Sequence, residues 1–284
     1  MKILVTGGSG YLGKHLVSYF GANDLSRRSG LDVLSTSDAF AASEYDVVIH
    51  LAARMDRSHE TADETFQTNV HGTINLLQAM RRDSVFIFAS TKDVYGRFAG
   101  AYSEVSEECQ TAYAGQSPLE WSKLIAERYV EYYAHQNGLR SCIFRLSNIV
   151  APPSKGNVPG FIGHYAEGIA TGKKLRLPGG GRPRRDLLHV DDLAKACEAF
   201  TGSIIRHGLY NLGGGVRNSF TLAELVEKIE TLSGKKAVID KEPLPDPVPM
   251  NYVTDVSLVR TELDWEPSIS IDEALESLLT TTDK

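Results

Sequence analysis

The chain has 284 residues, 42% hydrophobic and 23% charged, the make-up of an ordinary globular protein with one large domain or two lobes sharing a core. Its net charge of −6 offers no general attraction for nucleic acid or an anionic membrane, and no apolar run approaches the ~20 residues that span a bilayer. Cys109, Cys142 and Cys197 are far apart and odd in number, which points to reduced thiols in a cytoplasm and away from a disulfide framework or a bound metal.

In chain order, residues 2–6 (KILVT) form an apolar, β-branched run that reads as a buried parallel strand, with no signal-peptide pattern before it. A helix follows over 14–20. The polar stretch 23–28 leaves room only for a very short second strand, and 31–34 reads as a third. Residues 46–51 (DVVIHL) and 84–89 (SVFIFA) are strong buried strands, with helical spacing over 61–82 between them. A second long helix is expected over 119–135 and a strand over 141–146. Strands alternating with helices predict an α/β fold with a doubly wound parallel Rossmann sheet. Past residue 150 the texture changes. A Pro/Gly/Ser loop over 151–160 precedes a helix at 161–171, a glycine-rich turn at 178–181, a helix after Asp191-Asp192, a strand at 209–212 and a helix at 221–233. Residues 244–250 are rich in proline, and two short helical patterns surround Leu258 and Leu275. The expected organisation is a dinucleotide-binding domain over 1–150 and a smaller substrate-binding lobe over 151–284, interleaved with it.

The sequence Gly7-Gly8-Ser9-Gly10-Tyr11-Leu12-Gly13 lies between the first strand and first helix. Glycines allow a tight turn and close approach of a pyrophosphate, and the helix start supplies free N–H groups. This context marks Gly7, Gly10, Tyr11, Leu12 and Gly13 as a coenzyme-phosphate cradle. The residue at the tip of the second strand would read the 2′ position of the adenosine ribose. Asp24 there would favour NAD, whereas Ser26 there, with Arg27 and Arg28 beyond, would favour NADP; the balance tips slightly to NADP.

Further along stand His50-Leu51-Ala52-Ala53, Asn69-Val70-His71-Gly72-Thr73, Ser90-Thr91-Lys92-Asp93-Val94-Tyr95-Gly96, Arg145 to Pro152 (RLSNIVAP), Arg185 to Asp192 (RDLLHVDD) and Tyr210-Asn211-Leu212-Gly213. In order and spacing this series resembles the extended short-chain dehydrogenase/reductase family, in its nucleotide-sugar epimerase/dehydratase branch, over nearly the whole chain. The resemblance implies NAD(P) chemistry on a sugar or nucleotide-sugar. Leu51, Ala52 and Ala53 would lie beside the nicotinamide, and Asp32-Val33 would contact adenine. Thr91 would orient the substrate oxygen, Lys123 would hold the nicotinamide ribose, and Asn148 and Arg185 would grip the substrate's diphosphate. It also implies a homodimer formed through the helices at 61–82 and 119–135.

The sequence departs from the family at the residue that should carry the proton. The family has a tyrosine four residues before the lysine; here the lysine is Lys123 and residue 119 is leucine. A different group could move the proton, with Asp93 the first candidate and Lys92, Tyr113 and Cys109 behind it. Alternatively the chemistry needs no proton there, the chain is an engineered variant, or it is a catalytically silent NAD(P)-binding sensor or scaffold. Lys92 stands where dehydratases of the family have the first of two acidic residues, which argues against 4,6-dehydration. The stretch 242–246 (EPLPD) lacks the arginine that often binds substrate phosphate in the family.

Overall fold

The computed structural model describes residues 1–154, 157, 160–242 and 244–279; residues 155, 156, 158 and 159 of the expected 151–160 loop, and Pro243, lie outside the described residues. Strand β1 (Ile3–Thr6) runs through the glycine turn into helix α1 (Gly13–Phe20) and strand β2 (Asn23–Leu25). Helix α2 (Thr36–Ala39) precedes β3 (Val47–His50). A long helix then splits into α3 (Ala62–Phe66), a π-turn over Gln67–His71 and α4 (Gly72–Ala79), and leads to β4 (Val85–Thr91). Next come α5 (Pro118–Asn137), β5 (Arg140–Leu146), β6 (Asn148–Val150), α6 (Phe161–Thr171), β7 (Lys174–Leu175), β8 (Arg184–His189) and α7 (Val190–Gly202). The chain continues with β9 (His207–Leu212), β10 (Ser219–Thr221), α8 (Leu222–Ser233), β11 (Val238–Ile239), α9 (Ser257–Leu263) and α10 (Ile271–Leu279).

Six parallel strands in the order β2-β1-β3-β4-β5-β9 form the main sheet. Leu16 of α1, Leu193 and Phe200 of α7 and Val259 of α9 cover one face; Leu76 and Leu77 of α4 and Ala126 and Val130 of α5 cover the other. A second sheet, β10-β8-β6, packs with α6, α8 and α10 around Leu187, Phe220 and Leu275. Because β9, α7 and α9 belong to the first sheet, the chain crosses between the two units more than once. Among the described residues no helix is long and apolar enough to cross a membrane.

The expected third strand at 31–34 is not formed. Asp32 instead accepts the Leu34 N–H at 3.0 Å in a tight turn, and the carboxylate of Asp38 takes the Asp32 N–H at 3.0 Å. Val33 is drawn into the core, where it packs so closely on Gly72 that a β-carbon there would lie 2.7 Å from its methyl group. The short strands of the second sheet escaped the sequence reading. They are three to six residues long, and β8 opens with Arg184-Arg185-Asp186, which hides any alternation.

One buried polar cluster ties the ends of the main sheet to α5. Arg145 of β5 meets Glu127 of α5 through two hydrogen bonds, Nη2 to Oε2 at 2.7 Å and Nε to Oε1 at 3.1 Å. Ser90 of β4 donates to the same carboxylate. Arg145 Nη1 also donates to the Tyr95 hydroxyl at 3.0 Å, which in turn donates to Asn211 of β9 at 2.6 Å. Burial opposes the charge of Arg145, but Glu127 and Tyr95 outweigh it and raise its pKa. Removing one partner of such a pair strands the other charge in a dry interior. Glu127→Ala is therefore expected to lower unfolding free energy by about 3–5 kcal/mol, read from urea denaturation.

Candidate active site

The strand order sets the position of the site. The chain leaves β1 to one side for β2 and returns on the other side as β3, so the carboxyl ends of β1 and β3 open a crevice at the switch point. A cleft of about 750 Å³ occupies it, lined by Gly7, Gly10, Tyr11, Leu12, Gly13, Arg27, Asp32, Val33, Leu51, Ala52, Ala53, Thr91 and Lys123 among others. The sequence-marked coenzyme residues thus come together in one space. Gly7 has φ +71°, and a β-carbon on it would lie 2.8 Å from the Ala52 nitrogen; one on Gly13 would collide with the Gly7 carbonyl oxygen. The turn therefore tolerates no side chain at these points, and it runs directly into α1, whose Lys14 N–H is taken by the Gly10 carbonyl and whose His15 and Leu16 N–H groups are taken by that of Leu12. The Tyr11 hydroxyl is occupied at 2.8 Å by both the N–H and the carbonyl of Ala151, which anchors the glycine turn to the loop after β6.

The register of β2 decides what its tip offers. Leu25 is its last residue, paired with Thr6, so Ser26 follows at the tip, and Ser26, Arg27 and Arg28 all line the cleft. Asp24 turns beneath the glycine turn instead. Its carboxylate accepts from Ser9 at 3.0 Å and Ser26 at 2.7 Å and sits against Gly8. Arg28 donates to the Ser9 carbonyl at 3.2 Å and to Asn157 at 2.9 Å, whereas Arg27 has no side-chain partner among the described residues.

The walls of the cleft rest on further motif residues. His50 is buried between Thr6 Oγ1 at 2.5 Å and Thr73 Oγ1 at 2.9 Å. Since Thr73 donates its own proton to the Asn69 carbonyl, His50 carries its proton on Nε2, and burial holds its pKa well below the usual histidine range. Asn69, set by the π-turn, bonds both backbone groups of Arg54 and donates to Ser122 of α5 at 2.8 Å.

Thr91 ends β4 and lines the cleft; its hydroxyl accepts the Asp93 N–H at 3.2 Å. Leu119 and Lys123, one turn apart on α5, both line it as well. The Lys123 amine is buried, donates to the Ala89 carbonyl at 2.7 Å and lies 4.8 Å from the centre of the Phe88 ring. Desolvation pulls its pKa down to about 8 against a smaller opposing pull from Glu127.

Other expected residues lie apart from the cleft lining. Asp93 is paired with Lys92 at 2.5 Å and with Arg57 at 2.7 Å, and Arg57 also holds Glu120 at 2.9 Å. Burial alone would raise the Asp93 pKa, but Lys92 and Arg57 together hold it below the usual carboxylate range. A carboxylate so paired is a weak proton acceptor, and its geometry does not support the expected role. Lys92 lies against the Tyr252 ring at 4.9 Å. Tyr113 is exposed and stacks on Trp121, and Cys109 is buried with its thiol pKa raised. Asn148 donates to the Asp186 carbonyl at 3.0 Å. Arg185 spends its guanidinium on the carbonyls of Arg184, Met250 and Pro249 at 2.7 to 3.2 Å. Among the described residues no cluster of His, Cys, Asp and Glu is arranged to hold a metal ion.

Sequence reasoning missed Glu127 and Arg57. Glu127 had a visible signal, since it stands four residues after Lys123 and shares its helix face. Arg57 had none, because it sits in an irregular loop and its partners lie 36 and 63 residues away along the chain.

A profile of the NAD dependent epimerase/dehydratase family matches residues 3–213, which takes in the glycine turn, Thr91, Lys123 and the Arg145 cluster. The chain belongs to this family. It is 30% identical to a UDP-glucose 4-epimerase of Erwinia amylovora, across 97% of this chain and 96% of that protein. It is 26% identical to a CDP-paratose 2-epimerase of Salmonella typhi, across 98% of each. Among solved structures, RMD from Pseudomonas aeruginosa complexed with NADPH matches with a TM-score of 0.82 and 26% identity, over 99% of this chain and 98% of the other. MoeE5 in complex with UDP-glucuronic acid and NAD matches in fold with a TM-score of 0.85 at 23% identity, over the same shares.

The buried amine has a consequence for stability. The folded-state pKa of Lys123 is about 8 against 10.5 for an ordinary lysine, so folding opposes its charged form. That cost is complete below pH 8 and fades as pH rises to about 10.5. Lys123→Met removes the cost and also the hydrogen bond to Ala89. The variant is expected to be more stable at pH 7 by on the order of 2 kcal/mol, a gain that vanishes near pH 10.5 in denaturant titrations.

Proposed function

We propose that this protein is an NAD(P)-dependent enzyme that acts on a sugar or nucleotide-sugar by oxidoreduction, epimerisation or elimination, with a non-standard proton carrier; relatives named epimerase and dehydratase support this reading. The reading rests on one observation: the glycine turn, Thr91 and Lys123 line a single cleft at the switch point of the sheet. The residues fit such a coenzyme. The turn of Gly7 to Gly13 and the start of α1 would hold its diphosphate, Leu51 to Ala53 and Lys123 its nicotinamide half, and Asp32 and Val33 its adenine. When bound, the nicotinamide supplies the site's electron acceptor or donor. The chain's own contribution is orientation by Thr91, apolar walls from Leu51, Ala52 and Leu119, and protons held at stated atoms.

NADP is the preferred coenzyme in this reading. Ser26 stands at the tip of β2 with two arginines after it, and the Asp24 carboxylate is turned beneath the glycine turn. A ribose 2′-phosphate would meet the positive charge of Arg27 and Arg28 there. Asn148 and Arg185 of the neighbouring strands β6 and β8 remain the proposed grip on substrate phosphate, Arg185 after release from its backbone carbonyls. A second reading, a coenzyme-binding protein without turnover, draws on Leu119, which puts an aliphatic side chain into the cleft.

A homodimer through α3 and α5 completes the proposal. Leu77 and Leu124 are consumed by the core, but Phe66, Tyr129 and Tyr132 stay exposed on these helices. Tyr132→Glu is expected to yield monomers in sedimentation velocity.

Titration calorimetry tests the coenzyme claim: NADPH should bind more tightly than NADH, and Arg27→Ala should weaken NADPH by about tenfold while leaving NADH little changed. Equal affinity for both coenzymes would remove the case for NADP, and absence of binding would remove the whole reading. Nicotinamide absorbance with UDP-glucose, UDP-glucuronic acid, and CDP- and dTDP-sugars separates the two readings, since only the enzyme gives a change.

A further inference from the structure

Oxidising a sugar hydroxyl requires a group that takes its proton, and Leu119 cannot. Protic side chains that line the cleft with it include Ser90, Thr91, Lys123, Ser147 and Thr68, the last an ordinary alcohol like Thr91. Ser90 gives its proton to Glu127, and Ser147 gives its proton to Asp186 at 2.5 Å. Thr91 is an unactivated alcohol whose oxygen already accepts the Asp93 N–H. At the opposite end of the cleft the Tyr11 hydroxyl is occupied on both sides by Ala151. Lys123 differs from all of these. Its hydrogen bond runs to a carbonyl, which can only accept, so a neutral amine there keeps its lone pair free.

We infer that the Lys123 amine is itself the proton carrier of this site. In the oxidising direction neutral Nζ takes the proton of the substrate hydroxyl, and the C–O bond becomes C=O. The electron pair of the adjoining C–H bond leaves as hydride to the oxidised nicotinamide coenzyme, and Lys123 ends as ammonium. Reduction of the carbonyl returns the proton from the same atom. The inference rests on the coenzyme reading above and assigns the lysine a step beyond holding the coenzyme.

The surroundings suit the task. Lys123 faces Glu127 from its own helix, His50 from β3, and the Phe88 ring and Ala89 carbonyl from β4. His50 adds no charge, because burial holds it neutral, and Glu127 is already neutralised by Arg145. Desolvation therefore governs, and an amine with a pKa of about 8 is uncharged in roughly a tenth of molecules at pH 7. Both protonation states are then available near neutrality, as acid/base work requires.

Two measurements on the 284-residue chain decide the matter. An NMR titration of 13Cε-labelled lysines, with the Lys123 signal assigned by its loss in Lys123→Met, should give a midpoint near 8 without coenzyme. A midpoint in the ordinary range, about 10.4, overturns the inference whatever the activity. In single turnovers with UDP-glucuronic acid or UDP-glucose and oxidised coenzyme, Lys123→Met should slow reduction by at least about 100-fold. Calorimetric coenzyme affinity should change far less, and added methylamine should restore part of the rate in Lys123→Ala. Reduction by Lys123→Met within tenfold of wild type overturns the inference and leaves the coenzyme reading intact. Failure of wild-type protein to bind coenzyme overturns that reading instead.

Discussion

The Arg145–Glu127 pair is the constraint from which the rest of the site takes its geometry. A guanidinium has a rigid planar fork of donors, and here they engage Glu127 of α5 and Tyr95, which in turn holds Asn211 of β9. Ser90 joins the same carboxylate from β4, one residue before Thr91. Four elements are thereby positioned against one another in a dry interior where no water can substitute for a missing partner. Pairs of this kind contribute more to uniqueness of position than to net stability, because taking both charges out of water cancels much of their attraction. Position is what the site needs: Thr91 is attached to one arm of the cluster and Lys123 lies one helical turn from another.

The same pair sets the electrostatics of Lys123. A carboxylate four residues away on one helix face would ordinarily stabilise an ammonium and raise its pKa. Glu127 is committed to Arg145, so its pull on Lys123 is the smaller influence, and burial, with the Phe88 ring alongside, prevails. Leucine at position 119 puts an aliphatic side chain into the same cleft. Asp93 is the converse case. Two cations within 2.7 Å keep it charged, and they fix the turn after β4 in place while making the carboxylate a poor base.

Much of this was legible along the chain. The strand, glycine turn and helix at the start are local features: β-branched periodicity, glycines where backbone and phosphate must approach, and a helix beginning immediately after. The parallel α/β architecture followed from alternation of element types, and the core strands β1, β3, β4 and β5 fell close to their expected bounds. The strand expected at 31–34 failed because an apolar residue beside a carboxylate also suits a tight turn, and Gly72 leaves a hollow that draws Val33 inward. The short strands of the second sheet carried no periodicity long enough to read.

The sequence by itself determined the family, the glycine turn between β1 and α1 and the leucine four residues before Lys123, because each depends on residue types at short, regular spacing. Tertiary structure alone decided that Ser26 occupies the tip of β2 while Asp24 turns away, that Asp93 is spent on Lys92 and Arg57, and that Lys123 is dry. The physical reason is common to all three. Pairing and desolvation depend on groups brought together from distant parts of the chain, and neither the distance between them nor the water excluded from them has any local signature.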